Sequence, residues 1–242
     1  MWAHGGGARG SDLGASFAAL GEAQKGSRGV SLYSRYINRP SGRLLAAAAD
    51  VVGLTPNQVT LLSAASTVAG AALLALSRPS VTQSVLVWLS LALGFALDSA
   101  DGQLARIRGG GTPAGQWLDH VVDAGKMVLV HLAVLVRLYQ YTPMNDAGLL
   151  VPMAFALVST LVFTGGTLVP LVRRGRHEAG PRPDSTIAAI GLLPADYGVL
   201  CLVFLLGWHE HLFFVGYSLL LAVNVVLMCL LLGKWFRELS RT

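Results

Sequence analysis

Four aspartates at helical spacing are the residues of this sequence that are best suited to chemistry. Asp98 and Asp101 are three residues apart and Asp119 and Asp123 are four apart, so each pair lies on one face of a helix. A turn at residues 108–113 joins the two helices and can bring the four carboxylates to one point. Carboxylates at membrane depth repel one another and lack water, which predicts a cationic partner. Two divalent ions would cancel the four charges, and oxygen-only ligation suits Mg2+, Mn2+ or Ca2+.

A two-metal site can clamp the attacking and the leaving oxygen in phosphoryl transfer. The alternative is a structural role for the acids, either in solvating helix ends or in ion pairs with Arg106, Arg108 and Lys126. Gly102 and Gly115 lie beside the acids and would let a helix or a ligand approach closely. Arg106 can offer its guanidinium group to a phosphate.

Residues 98–123 read as one continuous motif, D-S-A-D-G-Q-L-A-R, eight residues, then G-Q-W-L-D-H-V-V-D. At every defined position this resembles the signature of the CDP-alcohol phosphotransferases, D-x-x-D-G-x-x-A-R, eight residues, G-x-x-x-D-x-x-x-D. The segment T-P-N-Q-V-T at residues 55–60 is also similar to that family. The resemblance covers about residues 31–236.

The resemblance implies a role for each aspartate. Asp98, Asp101 and Asp119 would be ligands of two Mg2+ ions, or of Mn2+, and Asp123 would be both a ligand and the general base. The implied reaction moves a phosphatidyl group from CDP-diacylglycerol to a small alcohol and releases CMP. Asp123 would take the proton of the acceptor hydroxyl, which attacks the lipid-side phosphorus.

The resemblance also implies a nucleotide pocket. The residues expected to line the CDP diphosphate and ribose, or to close on the nucleotide, are Thr55, Pro56, Asn57, Gln58, Gly102, Arg106 and Thr112. Two simpler interpretations stay open at this point. Arg106 can be a charge that only sets topology, and residues 55–60 can be only a helix start with Pro56 in its first turn.

The acceptor is the least defined substrate, with inositol phosphate and glycerol 3-phosphate as the expected polyol phosphates. Family members that use them often carry Lys or Arg directly after the last Asp, whereas Asp123 is followed by Ala-Gly-Lys. Lys126 can bind an acceptor phosphate or neutralise the cluster. Arg173 and Arg174 can bind that phosphate or only set topology. Asp196 can hold polyol hydroxyls in a cavity or cap a helix.

Membrane helices must position these residues, because 53% of the chain is hydrophobic and only 13% is charged. Uncharged stretches of 19 to 27 residues recur along the chain, and about 17 to 25 residues suffice to cross a bilayer. We therefore predict an all-α integral membrane protein with six transmembrane helices, at about residues 57–77, 83–107, 114–138, 147–172, 186–207 and 212–235. Pro194 and Asp196 interrupt the fifth, so residues 184–193 are alternatively a short interfacial helix beside a shorter crossing.

The segment before the first span has a separate pattern. Residues 31–50 interleave apolar side chains with Arg35, Arg39 and Arg43, which predicts an amphipathic interfacial helix broken near Pro40. A disordered basic linker is the alternative. Residues 1–30 are rich in Gly, Ala and Ser and are predicted to be a flexible cytoplasmic tail, with residues 31–242 as the membrane domain.

The net charge of +5 comes from basic residues that lie mostly on one side of the predicted membrane helices. Of 18 Lys and Arg residues, 15 fall on one side of the predicted spans, which places both termini and the active site on the cytoplasmic side of the cell membrane. Anionic membrane lipids are therefore the expected partner, and nucleic acid is not. Cys201 and Cys229 lie in apolar spans and predict neither a disulfide nor a metal site.

Two functions of other classes are alternatives to the transferase activity. A cation transporter or channel could use the acids as an ion site, but these acids lie at helix ends, and matched discontinuous helices are not evident. An inactive scaffold would have lost a motif residue, and none is missing. The resemblance, together with the apolar surface of the last two spans, predicts a homodimer.

Overall fold

The structure, a computed structural model, describes residues 13–22, 30–143, 145–172 and 186–240. These ranges are helical apart from their connections and contain no β-strand. Their α-helices are α1 (Leu13–Glu22), α2 (Arg39–Val51), α3 (Pro56–Leu76), α4 (Val81–Ile107), α5 (Pro113–Tyr141), α6 (Asp146–Val172), α7 (Thr186–Gly191), α8 (Tyr197–Val203) and α9 (Glu210–Ser240). By length and composition, α3, α4, α6 and α9 can each cross a membrane.

The predicted fifth span is not a continuous helix. Helix α7 is followed by the 3-10 turn Leu193–Ala195, and α8 continues into the 3-10 segment Phe204–Trp208. The break falls at Pro194 and Asp196, because Pro194 has no backbone N–H and Asp196 caps the next helix. The apolar stretch Tyr197–Trp208 is shorter than a full crossing. Among the described residues, four helices thus qualify as spans, and the count of six stays a prediction.

Residues 13–22 form α1, which packs against α2. Leu20 is 1% exposed and lies in a cluster with residues of α2, α3 and α4. The Ser16 hydroxyl donates to Asp50 Oδ2 at 2.8 Å, and the Arg43 guanidinium lies 3.8 Å from the centre of the Phe17 ring. The prediction of a flexible tail is therefore wrong for residues 13–22, since buried contacts hold them. Residues 1–12 and 23–29 lie outside the described residues.

The chain stays helical through Pro40, so the predicted break there is wrong. A π-helical turn, Ser34–Asn38, runs directly into α2. Pro40 lacks an N–H, and its ring would meet the carbonyl of Tyr36 in a regular α-helix. We attribute the wider turn to this conflict, because a π-turn separates the two groups without ending the helix. The position of this helix at a membrane interface stays a prediction.

Small residues allow α3 and α4 to approach closely. A Cβ on Gly94 would collide with Thr67 Oγ1, and one on Gly70 would press on Ser90 and Leu91. The Ser63 hydroxyl donates to the Gly94 carbonyl at 2.8 Å, which ties the two backbones together. Helix α3 also contacts α5. It therefore links the two helices that carry the four aspartates.

The buried apolar residues form two clusters. The larger one fills the space between α3, α4, α5, α6, α8 and α9 and includes Leu91, Val134, Phe204, Phe213 and Tyr217. The smaller one lies between α1, α2, α3 and α4, near the end of α4. We call this end of the bundle, where α4 ends and α5 begins, the site end.

Candidate active site and metal centre

The connection between α4 and α5 sets the position of the carboxylates. Gly109 and Gly110 follow the end of α4 with φ angles of 90° and 103°, a region that other residues rarely adopt. Thr112 then caps α5, since its hydroxyl accepts a hydrogen bond from the Gly115 N–H at 3.0 Å. Pro113 occupies the first turn, where its missing N–H costs nothing. This short reversal brings the start of α5 back beside the end of α4.

The structure brings three of the four aspartates together. One carboxylate oxygen from each of Asp98, Asp119 and Asp123 lies within 4.8 Å of the other two. Asp101 is outside this group. It is 5% exposed, and its Oδ2 accepts a hydrogen bond from the Thr60 hydroxyl at 2.5 Å.

Lys126 neutralises part of this cluster. Its ammonium forms ion pairs with Asp98 and, at 2.7 Å, with Asp123 Oδ1. It also donates to the Ser63 hydroxyl at 3.0 Å. Of the two roles expected for Lys126, the structure displays charge neutralisation, because the ammonium points at the acids.

The cluster fits a hard divalent cation. Its three carboxylates offer only oxygen ligands, which Mg2+ and Mn2+ favour. Oxygen ligands lie about 2.1 Å from Mg2+. A small movement of the three side chains toward one another would therefore let all three coordinate one ion. Asp119 is the most exposed of the three, at 34% of its side chain, so water can supply further ligands.

A cavity of about 510 Å³ opens beside the acids at the site end. Its walls come from the start of α3, the end of α4 and the start of α5. Of the residues predicted for the nucleotide pocket, those that line it are Thr55, Pro56, Asn57, Gly102, Arg106 and Thr112. Asp101 and Asp119 also line it, so the cavity reaches the acids.

Gln58 does not line the cavity, and its contacts explain why. Its backbone N–H donates to Thr55 Oγ1 at 3.3 Å, and its side-chain Oε1 accepts from the Thr55 N–H at 2.8 Å. This is a reciprocal capping box at the start of α3. Residues 55–58 therefore start a helix, as the simpler interpretation held, and all but Gln58 also face the cavity.

A second cavity, of about 280 Å³, lies between α4, α5, α6, α8 and α9. Its polar lining residues are Ser34, Ser159, Asp196, Tyr197 and Asn224, and the rest of the wall is largely apolar. Asp196 is held by the Gly198 N–H at 2.8 Å and by the hydroxyls of Ser31 and Ser34. Asp196 thus caps α8 and faces this cavity at the same time.

The comparisons with known proteins fit this geometry. The CDP-alcohol phosphatidyltransferase family matches residues 53–234, which is most of the chain and includes all four aspartates. The chain belongs to this family. Membership disfavours the cation transporter or channel, because it places the acidic motif in a family of transferases.

One relative of this chain is a phosphatidylinositol phosphate synthase of Corynebacterium glutamicum. It is 42% identical over 72 residues, which are 29% of this chain and 30% of the relative. Two crystal structures of the Mycobacterium tuberculosis phosphatidylinositol phosphate synthase share the fold. The one with CDP-DAG bound has 23% identity, a TM-score of 0.56 and coverage of 83% of this chain and 94% of that one. The one with manganese and citrate has 21% identity, a TM-score of 0.58 and coverage of 83% and 89%.

An ion pair outside the family motif helps to shape the large cavity. Arg108 lines the cavity and donates to Asp50 Oδ1 through Nη2 at 2.8 Å and through Nε at 3.1 Å. Its Nη1 also donates to the Leu54 carbonyl at 2.6 Å. The sequence predicts for Arg108 only a topological charge or an ion pair with the acid cluster. Asp50 is the available signal, because it is the only acid between residues 23 and 97.

Two further groups of polar residues lie apart from the acids or outside the described ranges. His131 is buried, with Tyr217 Oη 2.5 Å from its Nδ1 and Ser159 Oγ 3.0 Å from its Nε2, so it has hydrogen-bonding partners of its own. Arg173 and Arg174 lie outside the described residues, and their predicted contact with an acceptor phosphate has no structural counterpart here.

Proposed function

We propose that this chain transfers a phosphatidyl group from CDP-diacylglycerol to a small alcohol and releases CMP. The observation that carries the proposal is the position of Asp119 in the wall of the large cavity, within 4.8 Å of Asp98 and Asp123. A diphosphate in that cavity would lie against the acids. The relatives support the same chemistry, since one solved neighbour is a synthase with CDP-DAG bound.

The large cavity is the proposed site of the cytidine nucleotide. Arg106 would bind the diphosphate, because a guanidinium can donate two parallel hydrogen bonds to a phosphate. Gly102 keeps the wall of α4 free of a side chain, so the diphosphate can approach the helix. Asn57 and Thr112 would contact the ribose from the start of α3 and from the cap of α5.

The acids are the proposed metal ligands and base. Asp98, Asp101, Asp119 and Asp123 would hold two Mg2+ or Mn2+ ions, with Asp101 leaving its hydrogen bond to Thr60 to do so. Bound ions would supply positive charge to the diphosphate and to the departing CMP oxygen. Asp123 would take the proton of the acceptor hydroxyl as its oxygen forms a bond to the lipid-side phosphorus. The bond from that phosphorus to CMP breaks in the same step.

The proposed acceptor is a polyol phosphate, with inositol phosphate the first to test and glycerol 3-phosphate the second. Inositol phosphate comes first because the named relatives are phosphatidylinositol phosphate synthases. The second cavity is the proposed site for the polyol part. Tyr197 and Asp196 line it, and so does Met127, which lies one turn beyond Asp123 on α5, so the cavity is close to the proposed base.

The proposed setting is the cell membrane, crossed six times, with both termini and the site end on the cytoplasmic side. Many large apolar side chains on α3, α6 and α9 are exposed, among them Leu61, Leu157 and Leu230, which suits contact with lipid. The homodimer expected from the sequence is retained as part of this proposal.

The test is CMP release by the purified full chain in lipid nanodiscs with CDP-diacylglycerol and Mg2+. Inositol phosphate, glycerol 3-phosphate, free inositol and serine are compared as acceptors. We expect acceptor-dependent CMP release that excess EDTA abolishes. Full turnover in EDTA would contradict the metal mechanism, and no CMP release with any small alcohol would contradict the transferase proposal and leave an inactive scaffold.

A further inference from the structure

Lys126 is a buried cation whose bonding capacity is fully used. Its side chain is 10% exposed, and its ammonium contacts Asp98, Asp123 Oδ1 at 2.7 Å and Ser63 Oγ at 3.0 Å. An ammonium group has three N–H donors, and these three partners account for all of them. An acceptor phosphate can therefore contact Lys126 only after one of these partners is given up.

The position of the ammonium is well determined by its surroundings. Ser63 belongs to α3, Asp98 to α4, and Asp123 is one turn before Lys126 on α5. The Ser63 hydroxyl donates to the Gly94 carbonyl at 2.8 Å, so it presents a lone pair to the lysine. The ammonium thus lies where three helices meet.

The same carboxylates are two of the three that can hold a divalent ion. Asp98 and Asp123 are only 22% and 18% exposed at their side chains, so water screens charges there less than at an open surface. Two cations close to one another in such a site repel strongly. A divalent ion and the lysine must therefore share, or compete for, the negative charge of Asp98 and Asp123.

We propose that Lys126 is a tethered counter-cation that competes with the divalent ion for Asp98 and Asp123 and thereby lowers the metal affinity of the site. The inference rests on the proposed function only in that these acids bind a divalent ion. A lysine that merely braced the three helices would act in the opposite direction. Its loss would let the two acids move apart and would weaken metal binding.

The test measures Mn2+ binding to the full chain in lipid nanodiscs by the EPR signal of free Mn2+, with no transferase assay. Lys126→Met and Lys126→Gln both remove the charge. The glutamine can keep the hydrogen bond to Ser63, so this variant serves the test if the methionine variant does not fold. Lys126→Arg keeps the charge, and Ser63→Ala removes the neutral partner of Lys126 together with its hydrogen bond to the Gly94 carbonyl. The unfolding temperature of each variant is recorded alongside its dissociation constant for Mn2+.

We expect the dissociation constant to fall at least about tenfold in the two neutral variants, because a repelling charge is removed. Lys126→Arg and Ser63→Ala should stay within about threefold of the unchanged chain, since the charge is kept. An unchanged or higher dissociation constant in the neutral variants would overturn the proposal. Failure of the unchanged chain to bind Mn2+ would overturn the metal site as well, whereas normal Mn2+ binding without CMP release would contradict only the transferase.

Discussion

Helix α5 carries two buried cations, and their surroundings differ. Lys126 pairs with Asp98 and Asp123, and the large cavity reaches their cluster at Asp119. Arg137, eleven residues further along, is 1% exposed and donates to the Gly207 carbonyl and, at 3.4 Å, to Gln83 Oε1. Its guanidinium also lies 5.1 Å from the centre of the Phe213 ring.

The two cations differ in the groups that they contact. The bonds of Arg137 go to neutral dipoles, which close the α5, α4 and 204–208 segments around it. The ammonium of Lys126 instead contacts two carboxylates, and a third, that of Asp119, lies within 4.8 Å of both. A group of carboxylates beside a cavity can attract a cationic ligand, whereas Arg137 is satisfied by dipoles inside the core.

Asp123→Asn should have the largest effect, because it removes the proposed base and the negative charge of one partner of Lys126. We expect turnover to fall by about a hundred- to ten-thousand-fold, as for the loss of a positioned base. Asp98→Asn should lower turnover and, in addition, weaken the binding of CDP-lipid and metal, since an amide is a poorer metal ligand than a carboxylate. Turnover and CDP-lipid affinity are measured for both variants across a Mg2+ titration. Recovery of normal turnover by Asp123→Asn at high Mg2+ would assign it to ligation only.

Arg137→Met tests the other side of the comparison. The Gly207 carbonyl would lose its donor in a buried place, so we expect the free energy of unfolding to fall by about 2 kcal/mol. Thermal unfolding in nanodiscs measures this, and Mn2+ affinity should be unchanged. Arg137→Lys is the matched control, because it keeps the charge but has fewer donors. A change in Mn2+ affinity would show that the two cations are not independent.

Gly198→Ala tests whether the second cavity binds the acceptor, because Gly198 directly follows two of its lining residues, Asp196 and Tyr197. A Cβ at Gly198 would collide with the ring of Tyr33, which stacks on Phe95. We expect the segment before α2 to shift at a cost of about 1–2 kcal/mol, and the KM for the acceptor to rise while that for CDP-diacylglycerol stays constant. Gly233→Ala is a control, since no atom lies near its added Cβ. An unchanged acceptor KM would separate the second cavity from acceptor binding.

Asp50→Asn should have the smallest effect. The Arg108–Asp50 ion pair is partly exposed, at 32% and 17% of the two side chains, so it contributes at most about 1 kcal/mol. The expected result is a rise in the KM for CDP-diacylglycerol of up to about fivefold, because Arg108 helps to shape the large cavity, the proposed nucleotide site. Ser16→Ala, which removes a different bond to Asp50, should leave this KM unchanged. A similar rise in Ser16→Ala would implicate α1 instead.

The local features of the site were predictable from the sequence. The spacing of Asp119 and Asp123 placed them on one face of α5, and the turn predicted at residues 108–113 lies where α4 ends and α5 begins. Residues 13–22 were missed, because a Gly- and Ala-rich segment shows no strong apolar pattern, and only contact with α2 holds it. The continuous helix through Pro40 was not predicted, because a proline ordinarily interrupts a helix and the π-turn that accommodates it has no clear sequence signal.

By itself, the sequence determined the helical class, the long apolar helices, and the motif that identifies the family, because spacing and hydrophobicity act within one segment. Only the tertiary structure decided which partners the polar side chains choose. Asp101 accepts a hydrogen bond from Thr60 on another helix, Lys126 forms an ion pair with Asp98, and Arg137 is buried in the core. These contacts depend on distances between helices, since a buried polar side chain must form its hydrogen bonds with the groups that packing brings within reach.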